Sequence, residues 1–242
     1  MDKGFGVIAP SRCGYGRTPF DNGKTYAEQA DVYAALLDTL GVDHVVTIGV
    51  SAGGPAALQF AARHPTRCKA AMTECAITGN YSNPKYEAYT GKSVKWSMSS
   101  PLYIKMMQHM IKNSPVQAVK GMLESESTYN EQEKAAAAAD IANDPERMAL
   151  LQKLVPASYD LPLYPENFET MKHEILYMYK EVIPLQEITV PVMIAHGKCD
   201  GDVPFSQAEQ AHKLIPNSEL FVVEDGWHLL ALTSKGKELF EA

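Results

Sequence analysis

The chain has 242 residues, 45% of them apolar, which suffices for one large domain burying about 70–75% of its unfolded surface. Its formal net charge of −7 disfavours nucleic acid and anionic membrane surfaces as partners. The four cysteines form no C-x-x-C pair and so predict reduced thiols. No apolar run reaches the roughly 18 residues of a membrane span and no signal peptide opens the chain, so we expect a cytoplasmic protein.

The first predicted elements lie upstream of residue 51. The segment Gly4–Pro10 predicts a short buried strand, and a run of turn residues follows it. Thr25 and Glu28 have the spacing of a capping box, which predicts a helix over Tyr26–Leu40. Val45–Val50 is a β-branched run that indicates the next buried strand.

A turn of small residues centred on Ser51 comes directly after this strand. The segment Gly49–Gly53, Gly-Val-Ser-Ala-Gly, matches the G-x-S-x-G pattern of a nucleophile elbow, in which a serine stands on a sharp strand-to-helix turn. We expect Gly49 and Gly53 to be required because so tight a turn leaves no room for side chains two residues on either side. The N–H of Ala52, at the start of the following helix, is predicted to point to where an oxyanion would form.

The strand pattern is then interrupted by a long helical region. After a predicted strand at Cys68–Thr73, no strand is predicted from Thr78 to Pro184, and Ser-Pro or Asp-Pro pairs at 100–101, 114–115 and 144–145 indicate helix starts. Strands at Val190–Ala195 and Glu219–Val223 resume the pattern, with helices predicted at Phe205–Leu214 and Leu229–Phe240. We therefore predict a core of residues 1–77 and 185–242 and a helical cap insertion of residues 78–184.

Two polar residues follow the late strands. A serine hydroxyl needs a base to take its proton and a carboxylate to orient that base. Asp200 follows one late strand and His228 the other, and the carboxyl ends of parallel strands share one edge of a sheet, so both are expected near Ser51. Asp202 remains an alternative to Asp200 as the acid. His196 is interpreted as a structural hydrogen-bonding residue and Cys199 as a small buried side chain.

These residues carry a resemblance to the α/β-hydrolase family. The sequence resembles the family at Gly49–Gly53, at His196-Gly-x-x-Asp-x-x-Val-Pro204 and at Gly226-x-His228, and Pro10–Pro19 looks like the loop after the family's fourth strand. The resemblance runs from about residue 4 to the C-terminus and is weakest over the predicted cap. It implies an α/β fold with a mostly parallel sheet flanked by helices and a helical cap.

The resemblance also implies an activity. Ser51 would be the nucleophile, His228 the base, Asp200 the orienting acid, and the Ala52 N–H an oxyanion donor. The implied function is hydrolysis of an ester-like small molecule (a carboxylic ester, lactone or thioester) through an acyl-enzyme, with no cofactor and no metal. The alternative hypothesis is a weak or inactive small-molecule-binding member without a complete oxyanion hole.

The alternative rests on the N-terminal end of the sequence. Family members usually carry two or three earlier strands and a His-Gly loop whose N–H is the second oxyanion donor. No such loop is found upstream of Gly4, so we expect an N-terminally incomplete core. Because the family's lost strand lies between those equivalent to Gly4–Pro10 and Val45–Val50, we expect either a gap in the sheet or direct pairing of these two strands.

Overall fold

The sheet of this computed structural model, which describes residues 4–82, 100–157 and 167–236, has four parallel strands in the order β1-β2-β3-β4. The strands are β1 Val45–Val50, β2 Cys68–Glu74, β3 Val192–Gly197 and β4 Ser218–Val223. The four strands predicted from residue 45 onward are confirmed, each to within two residues. The carboxyl ends of all four strands therefore lie at one edge of the sheet.

Eight helices lie within the described residues: α1 Tyr26–Leu40, α2 Gly54–Arg63, α3 Pro101–Asn113, α4 Pro115–Glu126, α5 Glu131–Ala142, α6 Pro145–Ala157, α7 Asn167–Leu176 and α8 Ser206–Leu214. The predicted capping box forms, since Thr25 Oγ1 accepts from the Glu28 N–H at 3.1 Å and Glu28 Oε2 from the Thr25 N–H at 3.0 Å. Helix α1 ends at Gly41, which has φ +65° and donates back to the last turn.

The region between β2 and β3 is helical wherever the structure describes it. The expected starts are confirmed, because α3, α4 and α6 begin at Pro101, Pro115 and Pro145. Helices α3 to α6 share a core that also takes in Trp227 and Leu232 from the chain after β4. The boundaries of the cap at residues 78 and 184 stay a prediction.

The two faces of the sheet are covered differently. Helices α1, α2 and α8 pack on one face, where their apolar side chains form a buried cluster with those of the strands. On β1 the opposite face carries Val46, Ile48 and Val50, which are 53%, 66% and 47% exposed. Within the described chain, an apolar face of the edge strand is therefore open to solvent, an arrangement that proteins usually avoid.

The prediction of a strand at Gly4–Pro10 is wrong. Residues 5–10 have no regular secondary structure, and β1 is the edge of the sheet with no partner on its outer side among the described residues. A strand needs a neighbour to take its backbone hydrogen bonds, and apolar composition alone supplies none. Phe5 and Val7 are accordingly 74% and 75% exposed.

The prediction of a closing helix at Leu229–Phe240 is also wrong for residues 229–235, which form no α-helix. A short 3-10 helix forms there at Leu230–Leu232, a bend and a turn follow it to Lys235, and Gly236 is helical; residues 237–242 lie outside the described part. The Thr233 N–H and hydroxyl both donate to the Leu230 carbonyl, at 2.9 and 2.7 Å. This local bonding competes with helix propagation. No helix in the described ranges has the length and apolar character needed to cross a membrane.

Candidate active site

Ser51 occupies a strained position between β1 and α2. Its φ of +52° lies in the left-handed region, which costs a non-glycine residue about 1–3 kcal/mol. The strain is held in place by a 3-10 turn at Ser51–Gly53 and by the Ile77 N–H, which donates to the Ser51 carbonyl at 3.1 Å. This backbone directs the hydroxyl out of the sheet, as a nucleophile elbow requires.

The glycines around Ser51 differ in what they do. A Cβ on Gly49 would lie 2.7 Å from the Gly54 Cα, so the strand and the helix approach too closely for any side chain. A Cβ on Gly53 would meet nothing within 4 Å, which contradicts the expected crowding there. Gly54 carries that restriction instead, because its Cβ would lie 2.5 Å from Ala76 Cβ. On the helix side of the turn, the crowded glycine is therefore Gly54, one residue beyond the five-residue motif.

His228 joins Ser51 to Asp200 through its two ring nitrogens. Nε2 lies 3.0 Å from Ser51 Oγ, and Nδ1 lies 2.9 and 3.1 Å from the Asp200 oxygens. Since a carboxylate only accepts, Nδ1 carries the proton and Nε2 is left to accept from the serine hydroxyl. Asp200 and His228 are buried, whereas Ser51 is partly exposed at the surface of the elbow.

Asp200 is held as an anion by several donors. Its Oδ1 accepts from the backbone N–H groups of Asp202 and Val203 at 2.8 and 2.9 Å. His196 Nε2 lies 3.0 Å from the Val203 carbonyl and 3.3 Å from Asp200 Oδ2, which matches the structural role expected of it. Burial alone would raise the pKa of Asp200, but hydrogen bonds from His196, His228 and Val203 outweigh it and hold the pKa well below its ordinary value.

The charges around His228 favour its protonated form. Burial lowers the pKa of its imidazole, but the hydrogen bond and charge of Asp200, with the charges of Asp202 and Glu126, raise the pKa above its ordinary value. Asp202 Oδ2 lies 3.6 Å from Nε2, whereas Asp200 contacts Nδ1. The two carboxylates therefore face opposite nitrogens, and of the two it is Asp200 that contacts the nitrogen on the side away from Ser51.

The end of helix α4 holds both loops that carry these groups. The Glu126 carbonyl accepts from the His228 N–H at 3.2 Å and from the Gly201 N–H at 3.1 Å. Ser127 forms an antiparallel bridge with Asp200, and Trp227 is buried in one cluster with side chains of helices α3 to α6. Sequence reasoning missed Glu126, because a glutamate at a helix end is ordinary in its local pattern.

Cys75 is a further residue that the sequence did not single out. It has φ +44° and is buried beside Asp200 and His228, and burial together with the Asp200 charge strongly raises the pKa of its thiol. Potential metal ligands converge twice, as Cys75, Asp200 and His228 and as Glu126, Asp202 and His228. Both sets share His228, whose nitrogens already bond Asp200 and Ser51, and a thiol with a raised pKa resists ionising to bind a metal. Cys199 is partly exposed rather than buried.

Comparisons with known proteins agree with this architecture. The family model described as alpha/beta hydrolase fold matches residues 1–235. The chain is 27% identical to the "Uncharacterized hydrolase YcgS" of Bacillus subtilis (strain 168), over all of this chain and 80% of that protein. It is 26% identical to the "Poly(3-hydroxyalkanoate) depolymerase" of Ectopseudomonas oleovorans, over 84% of this chain and 61% of that one.

A solved structure gives the same result. The alpha/beta hydrolase fold protein from Nakamurella multipartita superposes with a TM-score of 0.79 at 27% identity, covering 95% of this chain and 78% of that one. The likeness thus extends over nearly the whole chain in both sequence and structure. The parallel sheet, the elbow after β1 and the loops after β3 and β4 fall within the matched residues. The chain belongs to the α/β-hydrolase fold family.

Proposed function

We propose that this chain is a serine hydrolase that cleaves ester-like small molecules, with Ser51, His228 and Asp200 as its catalytic triad. The observation that carries the proposal is that one imidazole contacts both partners: Nε2 lies 3.0 Å from the Ser51 hydroxyl, from which it accepts, and Nδ1 lies 2.9 Å from the Asp200 carboxylate, to which it donates. Such a chain of contacts is the arrangement that activates a serine for attack on a carbonyl. The strained φ of Ser51 adds support, because strain of this kind clusters at functional sites.

The first half of the reaction would acylate the serine. Ser51 Oγ attacks the carbonyl carbon while His228 Nε2 takes the hydroxyl proton, and Asp200 stabilises the resulting imidazolium. The carbonyl π electrons move onto the oxygen, which accepts a hydrogen bond from the Ala52 N–H. When the tetrahedral intermediate collapses, the carbon–oxygen bond to the leaving group breaks, and the alkoxide takes the proton from Nε2 and departs as an alcohol.

The second half would release the acid. Water gives a proton to Nε2 as its oxygen attacks the acyl carbon, and the same N–H of Ala52 faces the oxyanion. The bond between the carbon and Ser51 Oγ then breaks, and the serine recovers its proton from Nε2. Atoms and charge balance without any cofactor, and the products are one carboxylic acid and one alcohol for each ester and water consumed.

The substrate class is argued from chemistry and from one relative. A hydroxyl nucleophile suits acyl groups with a leaving alkoxide or thiolate, such as esters, lactones and thioesters. The Ectopseudomonas relative is named for depolymerising a poly(3-hydroxyalkanoate), whose repeating units are joined by ester bonds. The shared family and the ester bonds of that polymer support an ester-like substrate for this chain, and we propose a small-molecule acyl compound as that substrate.

The test is active-site labelling combined with turnover. A fluorophosphonate probe should label Ser51 of the folded chain, with the adduct located by peptide mass spectrometry, and short-chain p-nitrophenyl esters should be hydrolysed. The matched control is Ser51→Ala, which should lose both signals while keeping the melting temperature within a few degrees. Folded wild-type protein that is neither labelled nor active would refute the proposal. Labelling with no turnover of any ester would instead support the alternative of a weak, substrate-binding member.

A further inference from the structure

Helix α7 contacts the loop at residues 11–18 through one polar face. Asn167 Oδ1 accepts from the Gly16 N–H at 3.1 Å, and the Thr170 hydroxyl donates to the Gly14 carbonyl at 2.9 Å. Glu174, one turn further along the same face, binds this loop through Arg12. Positions three and four apart lie on the same side of a helix, so these three side chains form a single row.

Arg12 links this row to the elbow. Its guanidinium forms a fork with Glu174, in which Nη1 contacts Oε1 closely and Nη2 lies 3.3 Å from Oε2. The same Nη1 donates to the backbone carbonyl of Ala52 at 3.1 Å. Tyr15 contacts both partners. Its hydroxyl donates to Glu174, and the centroid of its ring lies 4.8 Å from the guanidinium carbon of Arg12.

Burial makes these contacts specific. The Glu174 side chain is 1% exposed and that of Arg12 is 24% exposed, so the carboxylate has little access to water as an alternative partner. Burial raises the pKa of Glu174, and the charge of Arg12 and the hydroxyl of Tyr15 oppose that rise. A planar fork reaches a carboxylate and a carbonyl together, which the point charge of a lysine does not reproduce.

The elbow needs an external restraint at this place. Ala52 is followed by Gly53, which has open space where a Cβ would lie and the backbone freedom of a glycine. The proposed oxyanion donor is the Ala52 N–H. Its direction depends on the orientation of the peptide between Ser51 and Ala52 and of the peptide between Ala52 and Gly53. The hydrogen bond from Arg12 to the Ala52 carbonyl restrains the peptide between Ala52 and Gly53.

We propose that Arg12 is a positioning residue, which couples the seating of cap helix α7 to the direction of the Ala52 N–H through Glu174. The proposal rests on the function proposed above for Ser51 and Ala52. Movement of α7 away from the core would withdraw Glu174 and release the guanidinium from the elbow. Through this contact, helix α7 contributes to the rate of the chemical step.

The variant that tests this is Arg12→Lys, assayed beside Thr170→Val. The lysine keeps a positive charge for Glu174 but not the fork, so kcat for a p-nitrophenyl ester should fall by about ten- to a hundredfold while KM changes little. Thr170→Val removes a contact between the same helix and the same loop without touching Ala52, and its kcat should stay within about twofold. Equal losses of kcat in both variants, or an unchanged kcat in Arg12→Lys, would overturn the proposal.

A second measurement separates this proposal from the function on which it rests. Hydrogen exchange at the amides of residues 52–54, followed by mass spectrometry, should be faster in Arg12→Lys than in the wild type and in Thr170→Val. Absence of esterase activity in the wild-type chain would refute the proposed function alone, whereas unchanged exchange in Arg12→Lys would refute the restraint. If Arg12→Lys does not fold, Glu174→Gln gives the same comparison, since it keeps the shape of the side chain and should also speed exchange at the elbow.

Discussion

The Asp202 carboxylate lies 3.6 Å from Nε2 of His228, the nitrogen that also faces the Ser51 hydroxyl at 3.0 Å. This places a second negative charge on the reactive side of the ring, while Asp200 occupies the other side. An anion in that position stabilises the imidazolium that would form during attack, but it also favours protonation of the resting enzyme. The balance between these effects is measurable through pH.

Asp202→Asn should shift the acid limb of the pH profile. A general base works in its neutral form, so kcat/KM rises as the pH increases through the pKa of His228. The charge of Asp202 is one of the causes that raise this pKa, and removing it lowers the pKa. The limb of kcat/KM for a p-nitrophenyl ester is therefore expected at lower pH in Asp202→Asn than in the wild type. A limb that stays in place or moves to higher pH would contradict the contact with Nε2.

Asp200→Asn should behave quite differently. The amide keeps the shape of the side chain but offers His228 Nδ1 no anion, so it no longer fixes the tautomer that accepts from Ser51. We expect kcat to fall by about 10⁴-fold. The pH limb that remains measurable should also move to lower pH, because the hydrogen bond and charge of Asp200 raise the pKa of His228. If Asp202→Asn caused the larger loss of kcat, the assignment of Asp200 as the orienting acid would be wrong.

The predictable parts of this protein are those set by local sequence. The capping box at Thr25 and Glu28, the β-branched run Val45–Val50 and the proline helix starts each depend on residues a few positions apart, and all formed. The convergence of Ser51, Asp200 and His228 followed from the rule that parallel strands end at one edge. These inferences needed chain order and local composition only.

The unpredicted parts depend on distant neighbours. The strand expected at Gly4–Pro10 had suitable residues but no pairing partner in the described chain, and composition does not reveal a partner. Glu126 and Glu174 reach the site because helices α4 and α7 dock on loops far away in sequence. A single sequence carries no signal for that docking, since an exposed and a buried glutamate look alike in a helical pattern.

Alanine substitutions at Gly53 and Gly54 should have opposite effects on stability. A Cβ on Gly54 would lie 2.5 Å from Ala76 Cβ and 2.6 Å from the Ile77 carbonyl oxygen, and such overpacking typically costs about 1–3 kcal/mol. Gly53 has open space and a right-handed φ of −82°, so Gly53→Ala should be neutral or stabilise by up to about 1 kcal/mol. Urea unfolding of both variants measures the difference. A larger loss for Gly53→Ala would show that the motif glycine, not its neighbour, is the crowded one.

Gly201→Ala should disturb the loops that carry Asp200 and His228, two members of the proposed triad. A Cβ at this position would lie 2.6 Å from the backbone of Ser127, so the end of α4 must move away from the loop. Because the Glu126 carbonyl binds both this loop and the His228 N–H, the imidazole should shift and kcat should fall by up to about 10²-fold. Gly121→Ala is the control. Gly121 lies in helix α4, and a Cβ at this position would meet nothing within 4 Å. The control should keep full activity and gain up to about 1 kcal/mol of stability.

The substitution of isoleucine by valine, made once in β3 and once in β1, should show which of the two positions is covered by other side chains in solution. Ile194 in β3 is 1% exposed, so Ile194→Val should lower the free energy of unfolding by about 0.5–1.5 kcal/mol. Ile48 in β1 is 66% exposed, and Ile48→Val should change it by no more than about 0.5 kcal/mol. Both residues are β-branched and remain so after substitution, which keeps strand propensity nearly constant and leaves burial as the difference. Equal costs in urea unfolding would mean that the outer face of β1 is covered in solution, and that its apolar side chains pack against another surface.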